Sequence, residues 1–109
     1  MTPRAEDERI ARELASRLVA TLHARRVVWF GSRARGEGDP ESDWDVLVVA
    51  ESAVSQAQRM YLAQCATADV RVPKDIVVFT PDEYARLMTW KSSVVYEAET
   101  TGRVLHEAA

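Results

Sequence analysis

The hydrophobic positions near the start of the chain recur with the period of an α-helix. Between residues 2 and about 25, a large aliphatic side chain stands at every fourth position, at Ile10, Leu14, Leu18 and Leu22. This spacing places them on one stripe of a helix that packs against a core. We predict Thr2 as the N-cap and Pro3 as the first helical residue, with the acidic Glu6, Asp7 and Glu8 at the positive end of the helix.

Three later segments have the length and composition of strands. Continuous apolar runs at 27–30, 45–50 and 75–79 are typical of strands that are covered on both faces. Between and after them, the pattern predicts a helix over 52–66, a helix that begins with the cap Thr80, and a last helix over 92–101 that ends at Gly102. Val104 and Leu105 add a short strand. Helices that alternate with buried strands predict an α/β or α+β fold, in which helices cover a small mixed β-sheet.

Length and composition narrow the classes of protein. The 109 residues are 47% hydrophobic and 28% charged, which predicts one folded domain spanning 1–109. A net charge of −3 argues against direct binding of long nucleic acid. No segment has the composition of a membrane span or a leader peptide, so we expect no membrane partner and a cytoplasmic location. The single Cys65 cannot form an internal disulfide, and we predict it to be a small core residue.

The segment between the first two predicted strands, GSRARGEGDPESDWD at 31–45, is longer and more charged than a hairpin requires. At its end, Asp43 and Asp45 point to the same face of a strand, while Trp44 points to the other. Two adjacent carboxylates repel each other unless a cation lies between them. Oxygen ligands without a Cys or His cluster favour Mg²⁺ or Mn²⁺ over Zn²⁺.

Asp75 opens the third buried strand and would add a carboxylate if that strand lies beside the second. Three carboxylates could hold two metals. We therefore take Asp43, Asp45 and Asp75 as candidate metal ligands and catalytic residues.

The start of the same segment has groups suited to phosphate. Gly31 allows a ligand to approach the backbone closely, and Ser32 offers a hydroxyl and amide nitrogens. Arg33 and Arg35 supply guanidinium groups that match phosphate oxygens, and Arg33 is expected to be the nearer because it adjoins the turn. A phosphate-binding turn that faces metal-binding carboxylates is the arrangement for phosphoryl or nucleotidyl transfer. Each motif alone is commoner as a turn, a cap or a solvated charge, but their combination at this spacing is rare.

The pair Gly31-Ser32, followed after ten residues by Asp43-Trp44-Asp45, resembles the signature of the DNA polymerase β-like nucleotidyltransferase superfamily. The loop between them is similar to that of the minimal nucleotidyltransferases, the antitoxins of pairs with HEPN-domain toxins. The resemblance implies a nucleotidyltransferase fold over the whole chain, metal binding by Asp43 and Asp45, and triphosphate binding by the Gly-Ser turn. It implies that Asp75 binds metal or activates the attacking hydroxyl. Trp44 stands where the family more usually has an aliphatic or smaller aromatic residue.

The resemblance also implies a function, the transfer of AMP from ATP to a tyrosine of a HEPN toxin. A second hypothesis is an antitoxin that neutralises its partner by occlusion, without catalysis. A third, transfer to a small-molecule hydroxyl as in aminoglycoside nucleotidyltransferases, is disfavoured because no second domain holds such a substrate. Trp90, Lys91, Val94 and Val95 form a candidate partner surface, if they remain partly exposed.

Overall fold

A computed structural model describes residues 2–108 of the chain. The helices and strands follow in this order: α1 (Ala5–Leu22), β1 (Arg26–Phe30), α2 (Gly31–Ala34), β2 (Trp44–Val49), α3 (Gln56–Ala66), β3 (Lys74–Phe79), α4 (Pro81–Leu87), α5 (Val94–Thr101) and β4 (Arg103–Glu107).

The four strands form one mixed sheet in the order β3-β2-β1-β4. β1 is antiparallel to both β2 and β4, whereas β2 and β3 are parallel. Because β2 and β3 run in the same direction, their first residues lie at the same end of the sheet, and the antiparallel β1 ends there. This topology brings Gly31, Asp45 and Asp75 to one end.

Helices cover both faces of the sheet, which explains the continuous apolar runs of the central strands. On one face, Leu14, Leu18, Trp29 and Val46 belong to a core that α1 and α3 cover. On the other, Val28 and Leu47 of the sheet pack with Val95 of α5 in a second core, which α4 also covers. The predicted mixed sheet covered by helices is confirmed.

The predicted cap of the first helix is wrong. Arg4, in extended backbone conformation, precedes the first helical residue Ala5, and its side chain does not cap the helix. Instead, its guanidinium donates to the Gly38 carbonyl at 2.7 Å. Thr2 and Pro3 therefore precede the helix, because contacts with the 31–45 segment keep this part of the chain extended.

Capping residues determine where the later helices begin, and two of these helices begin later than the apolar pattern predicted. Helix α3 begins at Gln56 rather than at 52 because the Ser55 hydroxyl accepts the Gln58 amide. Helix α5 begins at Val94 because Ser93 is its cap. Thr80 and Glu83 form the predicted capping box at the start of α4.

Two side chains, Cys65 and Val95, differ in exposure from the prediction. Cys65 is exposed, since it lies on the outer side of α3, and is not a core residue. Within the candidate partner surface, Val95 of α5 is fully buried, whereas Trp90 is 64% exposed. Of the helices within residues 2–108, none combines the length and the hydrophobicity needed to cross a membrane.

Candidate active site

Asp45 lies at the centre of an acidic cluster at the end of the sheet where β2 and β3 begin. In the β2–β3 register its partner is Asp75, and the backbones of neighbouring strands are about 4.8 Å apart. Asp43 lies two residues before it, ahead of the start of β2. The structure thus brings the three predicted carboxylates to one end of the sheet, with Asp43 and Asp75 exposed and Asp45 half-buried.

The surroundings of Asp45 disfavour its charged form. Burial, together with the negative charges of Asp75, Asp43 and Glu97, raises the pKa of Asp45 to about 6 from an ordinary value of 3.8. The positive charge of Arg35 opposes this shift. The site is therefore a concentration of negative charge that a cation would relieve.

The chemistry of these groups fits a hard divalent ion whose coordination is completed by oxygen atoms of the substrate. No three acidic, histidine or cysteine side chains between residues 2 and 108 converge as a ready-made metal cage. Mg²⁺ does not need such a cage, since it is usually bound through one or two carboxylates, waters and substrate phosphates. Asp43 and Asp45, with Asp75 opposite, meet this requirement.

The Gly31 turn lies directly against Asp45. Gly31 has a φ of +84°, and a Cβ placed there would come within 2.1 Å of an Asp45 carboxylate oxygen. A side chain is thus excluded both by the backbone conformation and by the carboxylate. Gly31 and Ser32 begin the short helix α2, so the two halves of the predicted motif adjoin.

The two arginines of the segment have different surroundings. Arg35 is partly exposed, forms an ion pair with Glu37 at 3.3 Å, and acts electrostatically on Asp45. Arg33 is buried, and its guanidinium is bound to Asp7 and to backbone carbonyls. Arg33 was expected to be the nearer to phosphate, and its Nε, Nη1 and Nη2 each donate to a protein group.

Two features of the site were missed from the sequence. Glu97 of α5 contributes negative charge at Asp45 although it is far away in the chain, and no local pattern indicates this proximity. Asp7 was interpreted as an acidic residue of the first helical turn, yet it is buried and paired with Arg33. Trp44 faces the opposite side from Asp45 as predicted, and its ring lies under the Arg33 guanidinium.

Comparisons with known proteins identify the family of the chain. The family described as Nucleotidyltransferase domain matches residues 8–98. A protein from Sulfolobus solfataricus designated a nucleotidyltransferase is 28% identical, with a TM-score of 0.56 over 72% of this chain and 70% of that one. No curated protein matches significantly.

Two further solved structures share the fold at lower identity. A toxin–antitoxin structure with AMP-PNP is 22% identical, with a TM-score of 0.65 over 90% of this chain and 73% of that one. The MntA–HepT toxin–antitoxin structure is 19% identical, with a TM-score of 0.59 over 93% and 73%. The family match spans both halves of the site, and the chain belongs to the nucleotidyltransferase domain family.

Proposed function

We propose that this protein transfers AMP from ATP to a tyrosine hydroxyl of a HEPN-domain toxin and thereby acts as its antitoxin. The observation that carries the proposal is that the predicted phosphate-binding turn lies against the predicted metal-binding carboxylates. The Gly31 turn adjoins Asp45, and Asp45 is opposite Asp75 in the register of two neighbouring strands. Nucleotidyl transfer requires a phosphate-binding element and metal-binding carboxylates at this kind of proximity.

The carboxylates have two roles, which are binding of the metal and acceptance of the proton of the attacking hydroxyl. Asp43 and Asp45 are the primary ligands of Mg²⁺ or Mn²⁺, and Asp75 is a third ligand or the group that accepts the proton of the attacking hydroxyl. When bound, the metal neutralises phosphate charge and polarises the α-phosphate. The tyrosine oxygen forms a bond to the α-phosphorus, the bond from that phosphorus to the β-phosphate oxygen breaks, and pyrophosphate leaves.

Gly31, Ser32 and Arg35 bind the triphosphate. Gly31 lets the nucleotide approach the backbone, and the Ser32 hydroxyl donates to a phosphate oxygen. Arg35 is partly exposed beside the acidic cluster, so its guanidinium can exchange Glu37 for phosphate. Arg33 is left out of this set because its donors bind protein groups.

The similarity to toxin–antitoxin structures, one of them with AMP-PNP, supports both the partner class and the nucleotide. We expect the partner to present its tyrosine at the acidic cluster. Transfer explains why a protein would keep like charges together, since the negative charges around the half-buried Asp45 disfavour its ionised form and have no use in a scaffold.

The alternative is occlusion without transfer, and one observation favours a binding surface away from the carboxylates. A cavity of about 480 Å³ lies beside exposed Trp90 and is lined in part by Phe79, Leu87 and Arg86. Phe79 ends β3, so this cavity is at the opposite end of the sheet from Asp75. A partner bound there could be neutralised without touching the acidic cluster.

Mass spectrometry of the toxin separates the two hypotheses. After incubation with this protein, Mg²⁺ and ATP, the toxin should gain the mass of one or more AMP units and stay inactive once the antitoxin is removed. The Asp43→Asn, Asp45→Asn double variant should bind the toxin but leave it unmodified and active after separation. Full protection by that variant, with an unmodified toxin, would instead support occlusion.

A further inference from the structure

Arg33 is the most extensively bonded cation near the acidic cluster. It is 6% exposed, and its Nε donates to the Ser42 carbonyl at 2.6 Å, its Nη2 to the Pro40 carbonyl at 3.0 Å and its Nη1 to Asp7 Oδ1 at 3.0 Å. The guanidinium also lies over the Trp44 ring, 3.7 Å from its centroid.

The two carbonyls that Arg33 binds belong to the segment that leads into the acidic pair. The Ser42 carbonyl is part of the peptide that joins Ser42 to Asp43, so a bond to it restricts the rotation of that peptide. Trp44, which stacks on the same guanidinium, separates Asp43 from Asp45. Arg33 therefore constrains the backbone immediately before and between the two carboxylates.

Asp7 fixes Arg33 from the opposite side. Its carboxylate is bonded to Arg33, and its backbone carbonyl accepts the Trp44 Nε1 proton at 3.1 Å. Its second oxygen, Oδ2, is buried without a hydrogen-bond partner among the described residues, and the Arg4 guanidinium lies 3.7 Å from it. A buried ion pair that leaves an oxygen unsatisfied stabilises a fold poorly, so a role in fixing geometry explains it better than a role in stability.

We propose that Asp7, Arg33 and Trp44 form a positioning cluster that orients Asp43 and Asp45 for metal binding, and that Arg33 does not contact the nucleotide. The proposal rests on the proposed metal-dependent transfer for its consequence, but the orientation of the 40–45 backbone can be measured without metal. Groups that orient metal ligands typically change metal affinity about 10- to 100-fold when they are mutated.

The test compares Arg33→Lys with Arg59→Lys. Arg59 is an equally buried arginine that also donates to two backbone carbonyls and to one carboxylate, but at the other end of the sheet. Both variants should lower the melting temperature. Only Arg33→Lys should weaken Mn²⁺ binding, by about 10-fold or more in the presence of AMP-PNP, and shift the amide resonances of residues 42–45 in the metal-free protein.

Asp7→Asn identifies the pathway of the effect. It should reproduce the loss of Mn²⁺ affinity, and the Asp7→Asn, Arg33→Lys double variant should lose no more than the weaker-binding single variant, because the two residues act as a unit. If Arg33→Lys does not fold, Trp44→Phe serves instead, because it keeps a stacked ring and removes only the bond to Asp7. A smaller change in the same direction is then expected.

Two results would overturn the positioning role. One is unchanged Mn²⁺ affinity and unchanged resonances of residues 42–45 in Arg33→Lys or, if it does not fold, in Trp44→Phe. The other is weaker binding of metal-free AMP-PNP by Arg33→Lys but not by Asp7→Asn, which would make Arg33 a direct phosphate ligand. Failure of the proposed function has a different signature, namely unchanged Mn²⁺ binding in Asp43→Asn, Asp45→Asn, with the resonance shifts of Arg33→Lys still present.

Discussion

The two ends of the sheet differ in how their charged side chains are paired. At the acidic end, defined by Gly31, Asp43, Asp45 and Asp75, negative charges gather, and burial and like charges raise the pKa of Asp45 to about 6. At the paired end, defined by Arg26, Glu99, Glu107, Arg59 and Glu83, each acid has a basic partner. Arg26 bonds Glu99 through two nitrogens, at 2.8 and 2.7 Å, and pairs with Glu107 at 2.7 Å.

The pKa values at the paired end reflect this neutralisation. Burial alone would raise the pKa of Glu99, but hydrogen bonds from Arg26 and Tyr84 lower it below its ordinary value. Hydrogen bonds from Arg59 and from the Thr80 backbone lower the pKa of Glu83 to about 2. The ion pairs of the paired end therefore stabilise the fold. At the acidic end, repulsion between carboxylates destabilises the metal-free protein, and a bound metal would relieve it. Such a loss of stability is common at sites of activity.

The largest expected change in stability is at the paired end. Glu99→Gln would remove the bidentate partner of Arg26, whose side chain is 18% exposed, and leave only the exposed Glu107 to pair with it, which should lower the free energy of unfolding by about 2 kcal/mol. Chemical denaturation measures this loss. Turnover per folded molecule should stay as it is, and a loss of Mn²⁺ affinity at full folding would show that the two ends are not independent.

At the acidic end, Gly31→Ala should act mainly on activity. The new Cβ would meet the Asp45 carboxylate, and displacing a reacting group by about 1 Å can cost about 100-fold in rate. Gly36→Ala is the matched control, since Gly36 also has a positive φ, of +77°, but its Cβ would meet the Thr2 carbonyl. Both variants should melt at lower temperature, but only Gly31→Ala should lose turnover. Equal turnover in the two variants would contradict the assigned place of Asp45.

A third expectation has the opposite sign. Asp45→Asn removes the charge that its neighbours disfavour, so without metal the variant should be more stable than the native chain at pH 7, by about 1 kcal/mol after allowance for solvent screening. The same variant should gain less from Mg²⁺ with ATP than the native chain does. A variant that melts below the native chain would mean that Asp45 is well accommodated without a cation.

The two ends also differ in how far the sequence predicted them. The acidic end lies within one continuous segment and the start of a strand, so the Gly31–Ser32 spacing to Asp43 and Asp45 indicated it directly. For Asp75, the sequence predicted a place beside Asp45 only if the second and third strands are neighbours, and the structure shows that β2 and β3 are. In the paired end, Arg26 and Glu99 are 73 residues apart, and no local pattern connects them.

The error at Thr2 and the unexpected burial of Arg33 have the same physical cause. Predictions of a helix cap or of a phosphate-binding turn use only neighbouring residues in the sequence. Arg4 and Arg33 instead form tertiary contacts, with Gly38 and with Asp7 respectively. A charged side chain in a Gly-rich loop is normally solvated, and nothing in the sequence indicates that Arg33 is buried over Trp44. Burial of this kind becomes visible only when α1 is placed against the loop.

The smallest expected effects are in the pH dependence of stability, and they separate the two ends by sign. The raised pKa of Asp45 means that the native state holds a proton that the unfolded state has lost, so its contribution falls as pH rises from about 4 to about 6. The lowered pKa of Glu83 has the opposite effect, since its contribution is complete above about pH 4.5 and is lost as pH falls towards about 2.

The stability difference between Asp45→Asn and the native chain should therefore grow between pH 4 and pH 6. That between Glu83→Gln and the native chain should change only below pH 4.5. Denaturation of the metal-free proteins across pH 2 to 7 measures both windows, and overlapping windows would refute the division into an acidic end and a paired end.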